Sequence, residues 1–208
     1  MNTQTDRNLL KNIIVKALKI EDKLGNNIRK SEDQIQLGRL YTKKNDLNSA
    51  LPIFKDAFNS AKKANYVIYM LSSLYHLAEV YYDLGEYIDA ISTYTRALKF
   101  AQDIGDKKES ASILQEIGLI LIEKSKFSEA IKIFVDLMNI YRELKDYYGL
   151  QKTLGSLGYC SVALGDYSNA KIFCEKALAL ANKLNSQEDI QVQQENLEFI
   201  NRKLDEQA

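Results

Sequence analysis

Three observations predict an all-α helical solenoid. The first is a period. The stretch Leu84-Gly85-Glu86-Tyr87-Ile88-Asp89-Ala90 recurs forty residues downstream as Lys124-Ser125-Lys126-Phe127-Ser128-Glu129-Ala130, and again as Leu164-Gly165-Asp166-Tyr167-Ser168-Asn169-Ala170. Forty residues upstream the same slot reads Lys44-Asn45-Asp46-Leu47-Asn48-Ser49-Ala50. Copies at one constant spacing, without gaps, are the signature of an array in which each supersecondary unit stacks on the next. The second observation is that every 40-residue unit divides into two apolar patterns of helical period. The third is the near absence of breakers: one proline in 208 residues, and no low-complexity segment or linker. One continuous array over residues 1–208, without a domain boundary, is expected.

The elements follow in order. The first helix of each pair opens after Asn26, Tyr66 (preceded by Asn65), Asp106, Asp146 and Ser186, again forty residues apart. Short polar side chains there accept hydrogen bonds from the free N–H groups of the first turn. Asp106 with Glu109, and Ser186 with Asp189, have capping-box spacing. Gly25 and Gly105 stand one residue earlier, where the preceding helix must end and a left-handed conformation costs glycine little. This places an unpaired N-terminal helix at 6–24. Four pairs follow at 27–64, 67–104, 107–144 and 147–184, with a closing helix at 187–204. Within the pairs the second helices begin near 48, 88, 128 and 168. Pro52 belongs in a first turn, where no backbone donor is lost, so its helix is expected to start at Ser49 rather than Leu47.

Each first helix has a small residue at one site, Gly38, Ala78, Gly118 and Gly158. Each second helix has Ala50, Ala90, Ala130 or Ala170, and further on Ala57, Ala97, Leu137 or Ala177. Small residues at facing positions let two helix backbones approach, while Phe54, Tyr94 and Phe134 fill the space beside them. The ends differ. In the last helix the small site is Glu198 and in the first the alanine site is Leu10, so no partner helix is expected beyond either. Leu10, Ile14 and Ala17 then form an apolar stripe that calls for an added contact, through self-association or a partner.

Leu77-Ala78-x-x-Tyr81, followed by Gly85-x-Tyr87-x-x-Ala90, Tyr94 and Ala97, resembles a tetratricopeptide repeat. Leu37-Gly38-x-x-Tyr41 with Ala50, Phe54 and Ala57 matches as well. The third copy has Leu121 in place of the tyrosine, and the fourth has Ser161 and Cys174 in place of aromatics. The usual repeat is about 34 residues long, so each helix here gains most of a turn. That longer form is similar to the repeats of kinesin light chains, spindle-orientation scaffolds and bacterial peptide-pheromone receptors. The resemblance implies a right-handed superhelix of about ten antiparallel helices.

Catalytic chemistry finds little support. The only histidine, His76, allows no His-based triad or zinc-protease pair, and no metal or cofactor site is expected. There is no phosphate-binding loop, and Gly155-Ser156-Leu157-Gly158 lies within a helical pattern. Cys160 and Cys174 read as small buried hydrophobes. Lys+Arg and Asp+Glu are both 28, without the basic excess a nucleic-acid surface needs. No run is long enough for a membrane span, and Met1-Asn2-Thr3-Gln4-Thr5-Asp6 does not open like a signal peptide, so a cytoplasmic protein is expected.

The resemblance implies that function resides on an inner face lined by first helices. It directs Gln36, Arg39 and Lys43 inward in the first pair, and Tyr75, His76, Glu79, Tyr82 and Asp83 in the second. In the third it directs Gln115, Glu116, Leu119, Ile122 and Glu123, and in the fourth Lys152 and Tyr159. Ile35 is directed inward by the same rule. This mixture of aromatic, amide and charged groups suits a protein or peptide ligand. Chaperone-binding repeats clamp a terminal carboxylate with Lys, Asn and Arg. The matching positions here are Ile35, Arg39, His76, Ser112 and Glu116, or one repeat later Tyr75, Glu79, Glu116, Lys152 and Ser156. Neither set is a clamp. The central carboxylates Glu79, Asp83, Glu116 and Glu123 instead favour a ligand with Lys or Arg residues flanked by apolar anchors. The expected role is a non-enzymatic adaptor, with a peptide receptor or assembly chaperone as the alternative.

Overall fold

A computed structural model describes residues 3–207. Among the described residues there are ten helices and no strand. They are α1 (Thr3–Leu24), α2 (Asn27–Thr42), α3 (Leu47–Lys63), α4 (Val67–Asp83), α5 (Tyr87–Asp103), α6 (Lys107–Glu123), α7 (Phe127–Leu144), α8 (Tyr147–Ala163), α9 (Tyr167–Leu184) and α10 (Gln187–Asp205). The chain forms two compact units, Met1–Asp106 and Lys107–Ala208. In the first unit α1 packs on α2, α2 on α3, α3 on α4 and α4 on α5, with an additional α2–α4 contact. In the second, α6 packs on α7, α7 on α8, α8 on α9 and α9 on α10.

The turns explain the regularity. A left-handed residue closes every helix before the last: Gly25, Asn45, Asn65, Gly85, Gly105, Ser125, Lys145, Gly165 and Asn185, with φ between 53° and 78°. They fall every twenty residues, half the sequence period. The N–H of the residue after each reaches back five positions, as from Glu86 to the Tyr81 carbonyl (2.8 Å) and from Asp166 to that of Ser161 (2.9 Å). This is the Schellman arrangement, which satisfies carbonyls orphaned at a helix end. The residue that donates this bond is also the one before the next helix, so each connection takes only two to four residues.

Capping is uneven. Asn26, Asp46, Asp146 and Asp166 accept hydrogen bonds from the N–H groups of Arg29, Ser49, Gly149 and Asn169. Tyr66 makes no side-chain cap. At Ser186 the expected capping box is replaced: its hydroxyl donates to Asp189 Oδ2 at 2.7 Å. The expectation for Pro52 is also corrected. With Asp46 as cap, α3 starts at Leu47 and Pro52 lies inside the helix, beyond its first turn. The turn at 41–46, shared with every other helix end, overrides the local preference of one exposed proline.

Packing follows the alternation of small and large residues. A methyl group added at Gly38 would lie 2.6 Å from the ring of Phe54, and one at Gly118 would lie 2.6 Å from that of Phe134. At Gly158 it would meet Cys174 Sγ at 2.7 Å. Each pair is sixteen residues apart and joins a first helix to the second helix that follows. Ala50, Ala57, Ala90, Ala97, Ala130, Ala170 and Ala177 are fully buried. Ile35 is 5% exposed and belongs to this core, contrary to the inward direction assigned from the repeat pattern. Of the N-terminal stripe, Ile14 is buried, while Leu10 stays 46% exposed. Leu9, Ile13, Ile20 and Leu24 extend its open part. Glu198 is exposed.

Candidate functional site

Apart from Ile35, none of the residues assigned to the inner face is buried, and all lie on first helices or, for Lys43, at the end of one. In the first unit, Gln36, Arg39 and Lys43 are exposed on and just after α2. On α4, Tyr75, His76 and Glu79 are half-buried, and Tyr82 and Asp83 are exposed. Second helices hold the aromatic rings in place. Tyr75 meets Tyr94 of α5 edge-on with centroids 5.5 Å apart, and Tyr82 meets Tyr87 likewise at 5.7 Å. His76 stacks on Phe54 of α3 at 5.4 Å, and its Nδ1 lies 2.6 Å from Glu79 Oε2. Burial, together with the neighbouring Glu79 charge, pushes the Asp83 carboxyl above the usual range. Tyr69, on the same helix, is raised by burial and by Glu32 of α2.

In the second unit, Gln115, Leu119 and Glu123 are exposed on α6, and Glu116 and Ile122 are half-buried. A cavity of about 400 Å³ opens between α6, α7 and α8, bordered by Gln115, Leu119, Tyr141, Tyr148, Lys152 and Ser156. The Tyr141 hydroxyl donates to Gln115 Oε1 at 3.3 Å. Its ring occupies the space left by Gly149, where an added methyl would lie 2.6 Å from it. Burial raises the Tyr141 hydroxyl, and Asp146 adds to the effect. A second cavity of about 310 Å³ lies between α8 and α10, with Ile122 and Tyr159 at its border. Tyr159 meets Phe127 edge-on at 6.1 Å.

Lys152, directed inward by the repeat pattern, is engaged by a carboxylate of the closing helix. Its Nζ lies 2.6 Å from Oδ1 of Asp189 on α10, a carboxylate whose side chain is only 10% exposed. Hydrogen bonds from Lys152 and Ser186 hold the Asp189 carboxyl below the usual range, and the same pair raises Lys152. Sequence reasoning missed Asp189 as a partner because it lies 37 residues away on another helix. Its place in the first turn of α10 was the only available signal.

No group of three or more His, Cys, Asp or Glu side chains suited to a metal ion occurs among the described residues. Cys160 and Cys174 are free and buried, and burial pushes both thiols up to about 11. A thiol raised that far carries little thiolate at neutral pH and is a poor nucleophile. No described helix is long and apolar enough to cross a membrane.

Tetratricopeptide-repeat family models match residues 69–143 and 151–184. No curated protein matches the chain in sequence. Among solved structures, BtubC (BKLC) from P. vanneervenii superimposes with a TM-score of 0.72 at 18% identity, over 95% of this chain and 84% of its own. Aspartyl phosphate phosphatase F from Bacillus subtilis gives 0.69 at 21% identity, over 81% of this chain and 44% of its own. A Rap protein complexed with competence and sporulation factor gives 0.61 at 17% identity, over 95% of this chain and 60% of its own. These likenesses concern the fold, which is of the all-α superhelical repeat class. Together with the matched models, they establish that the chain belongs to the tetratricopeptide-repeat family.

Proposed function

We propose that the chain is a non-enzymatic cytoplasmic adaptor that holds a protein segment against the exposed faces of its first helices. One observation carries the reading. Tyr82, Leu119 and Tyr159 stand 40%, 46% and 56% exposed on α4, α6 and α8. Large apolar side chains left in water on successive first helices, two of them rings fixed by edge contacts, have the character of recognition anchors. The same helices carry Glu79 and Asp83 on α4 and Glu116 and Glu123 on α6, and Lys152 of α8 is engaged by Asp189. The ligand this favours has Lys or Arg residues beside apolar side chains. Charge sets its on-rate and selectivity, and the aromatic and aliphatic contacts supply most of the affinity. The open apolar side of α1, with Leu9, Leu10, Ile13, Ile20 and Leu24, offers a further contact to a second copy or a partner.

A peptide receptor is the second reading, favoured by the likeness to a Rap protein whose structure holds competence and sporulation factor. Saturable binding of one short synthetic peptide supports the receptor, and a stoichiometric complex recovered from lysate supports the adaptor. Pull-down with mass spectrometry supplies the partner. That partner is then titrated against a Glu79→Lys/Glu116→Lys variant and a Tyr82→Ala/Leu119→Asp variant at two salt concentrations. Weakened binding in both, with a reduced salt dependence in the first, is expected. Unchanged affinity and salt dependence would remove the first-helix faces from consideration.

A further inference from the structure

In the first unit, on the side built by second helices, α3 and α5 border a cavity of about 490 Å³. Its walls are Phe58 and Phe100, half-buried rings with centroids 6.4 Å apart and planes inclined at 58°, and Met70 of α4 is buried at its floor. Lys62, Arg96 and Lys99 stand exposed around its edge. The Arg96 guanidinium lies 5.1 Å over the Phe58 ring. No carboxylate borders the cavity, and among the described residues no ion pair engages Lys62, Arg96 or Lys99.

The repeat framework does not require this set. Forty residues on, Phe58, Lys62, Arg96, Lys99 and Phe100 are replaced by Leu98, Gln102, Asp136, Asn139 and Ile140. Forty residues back they are replaced by Leu18, Asp22, Asp56, Asn59 and Ser60. The paired rings and the cations therefore belong to this one notch. A neutral protein that gathers three cations, none of them in an ion pair among the described residues, around an aromatic hollow presents a positive field there. The inclined rings form no parallel slot for a flat base. The hollow falls within the size range of small ligand sites and takes one bulky side chain.

We infer that this notch is a docking site for an acidic protein segment. An aromatic or large aliphatic side chain of that segment enters between Phe58 and Phe100, and flanking Asp or Glu carboxylates meet Lys62, Arg96 and Lys99. Charge complementarity selects the partner, and burial of the anchor against rings and Met70 holds it. The site shares no residue with the first-helix faces, so either reading stands without the other.

The test uses the full chain and a fluorescent library of nine-residue peptides, each with one Phe, Trp or Leu flanked by Asp and Glu. Members are expected to bind, and binding should weaken at least tenfold in a Lys62→Glu/Lys99→Glu variant. All the altered side chains are exposed, so circular dichroism should remain that of the wild type. Replacing the anchor by Gly in the best peptide should weaken binding by a similar factor. The Tyr82→Ala/Leu119→Asp variant should bind as wild type, which separates this site from the first-helix faces. Absence of any binder, or binding indifferent to the charge reversal, would overturn the proposal. So would ATP binding at this notch in preference to every peptide, or concentration-dependent self-association that the same charge reversal abolishes.

Discussion

Gly118 offers the most quantitative test of the packing scheme. A methyl group there lies 2.6 Å from Cζ and 2.7 Å from Cε1 of Phe134. Carbon atoms in contact prefer about 3.5–4.0 Å, so the ring must retreat by about 1 Å or the helices must part. Phe134 is 1% exposed and Leu137, a turn away on the same helix, is equally buried, and the room left to the ring is the cavity between α6, α7 and α8 that it borders. Overpacking of this kind costs roughly 1–3 kcal/mol. Against it stands the helix propensity that alanine recovers from glycine, about 1 kcal/mol. Gly118→Ala should therefore be neutral to destabilising by about 2 kcal/mol, and Gly118→Leu should be worse. The sharper quantity is the coupling. In a Phe134→Leu background the clash is relieved, so Gly118→Ala should there be stabilising by about 1 kcal/mol. Urea denaturation of the four proteins, followed by circular dichroism, yields the cycle, with constant slopes confirming comparable transitions. A coupling of about 1–3 kcal/mol is expected. A coupling near zero, or a Gly118→Leu variant that melts with the wild type, would show that the two positions do not face each other.

Other perturbations follow from the backbone and from the Lys152–Asp189 ion pair. Pro52 lies inside α3, where proline loses a hydrogen bond and crowds the carbonyl four residues back. Because it is exposed, Pro52→Ala should stabilise by up to about 3 kcal/mol, read as a higher urea midpoint, and a lower midpoint would refute the placement. Lys145 adopts φ 55° at the end of α7, so Lys145→Gly should stabilise by on the order of 1 kcal/mol, with destabilisation the contrary result. The Asp189 carboxyl is held low and Lys152 is held high. Their pair therefore contributes fully between the ordinary Asp and Lys values, about pH 4 to 10. The contribution is lost as pH falls through the depressed Asp189 value, or rises through the raised Lys152 value. Lys152→Met should be less stable than wild type at pH 7, with the deficit vanishing in acid. A pH-independent deficit would contradict the pairing.

The fold was legible because its turns carry a chemical requirement. A left-handed residue closes each helix, and Gly or Asn fills seven of the nine such positions, which makes the period visible. Ser125 and Lys145 hide the requirement, since neither residue type suggests a left-handed turn, and there only the spacing reveals it. Pro52 misled because local preference places it in a first turn, whereas the Asp46 cap and the shared turn geometry fix the start of α3 earlier. Exposure of the first-helix residues follows from register alone. The pairing of Lys152 with Asp189 does not, because it depends on how α8 and α10 approach across 37 residues. The aromatic and basic notch escaped for a related reason: Phe58 and Phe100 meet only when α3 and α5 are laid side by side. A signal was present all the same, in the positions where this pair of helices departs from the forty-residue pattern.

Side-chain footprinting with hydroxyl radicals, on the chain alone and bound to its captured partner, examines the proposed function most directly. Tyr82, Leu119 and Tyr159 are exposed on first helices, whereas Ile88 (85% exposed) and Ile172 (46%) report on second helices. Protection of the first three with unchanged labelling of Ile88 and Ile172 is the expected result. Protection confined to Ile88, Ile172 or the exposed side of α1, with Tyr82, Leu119 and Tyr159 labelled as in the free chain, would contradict it.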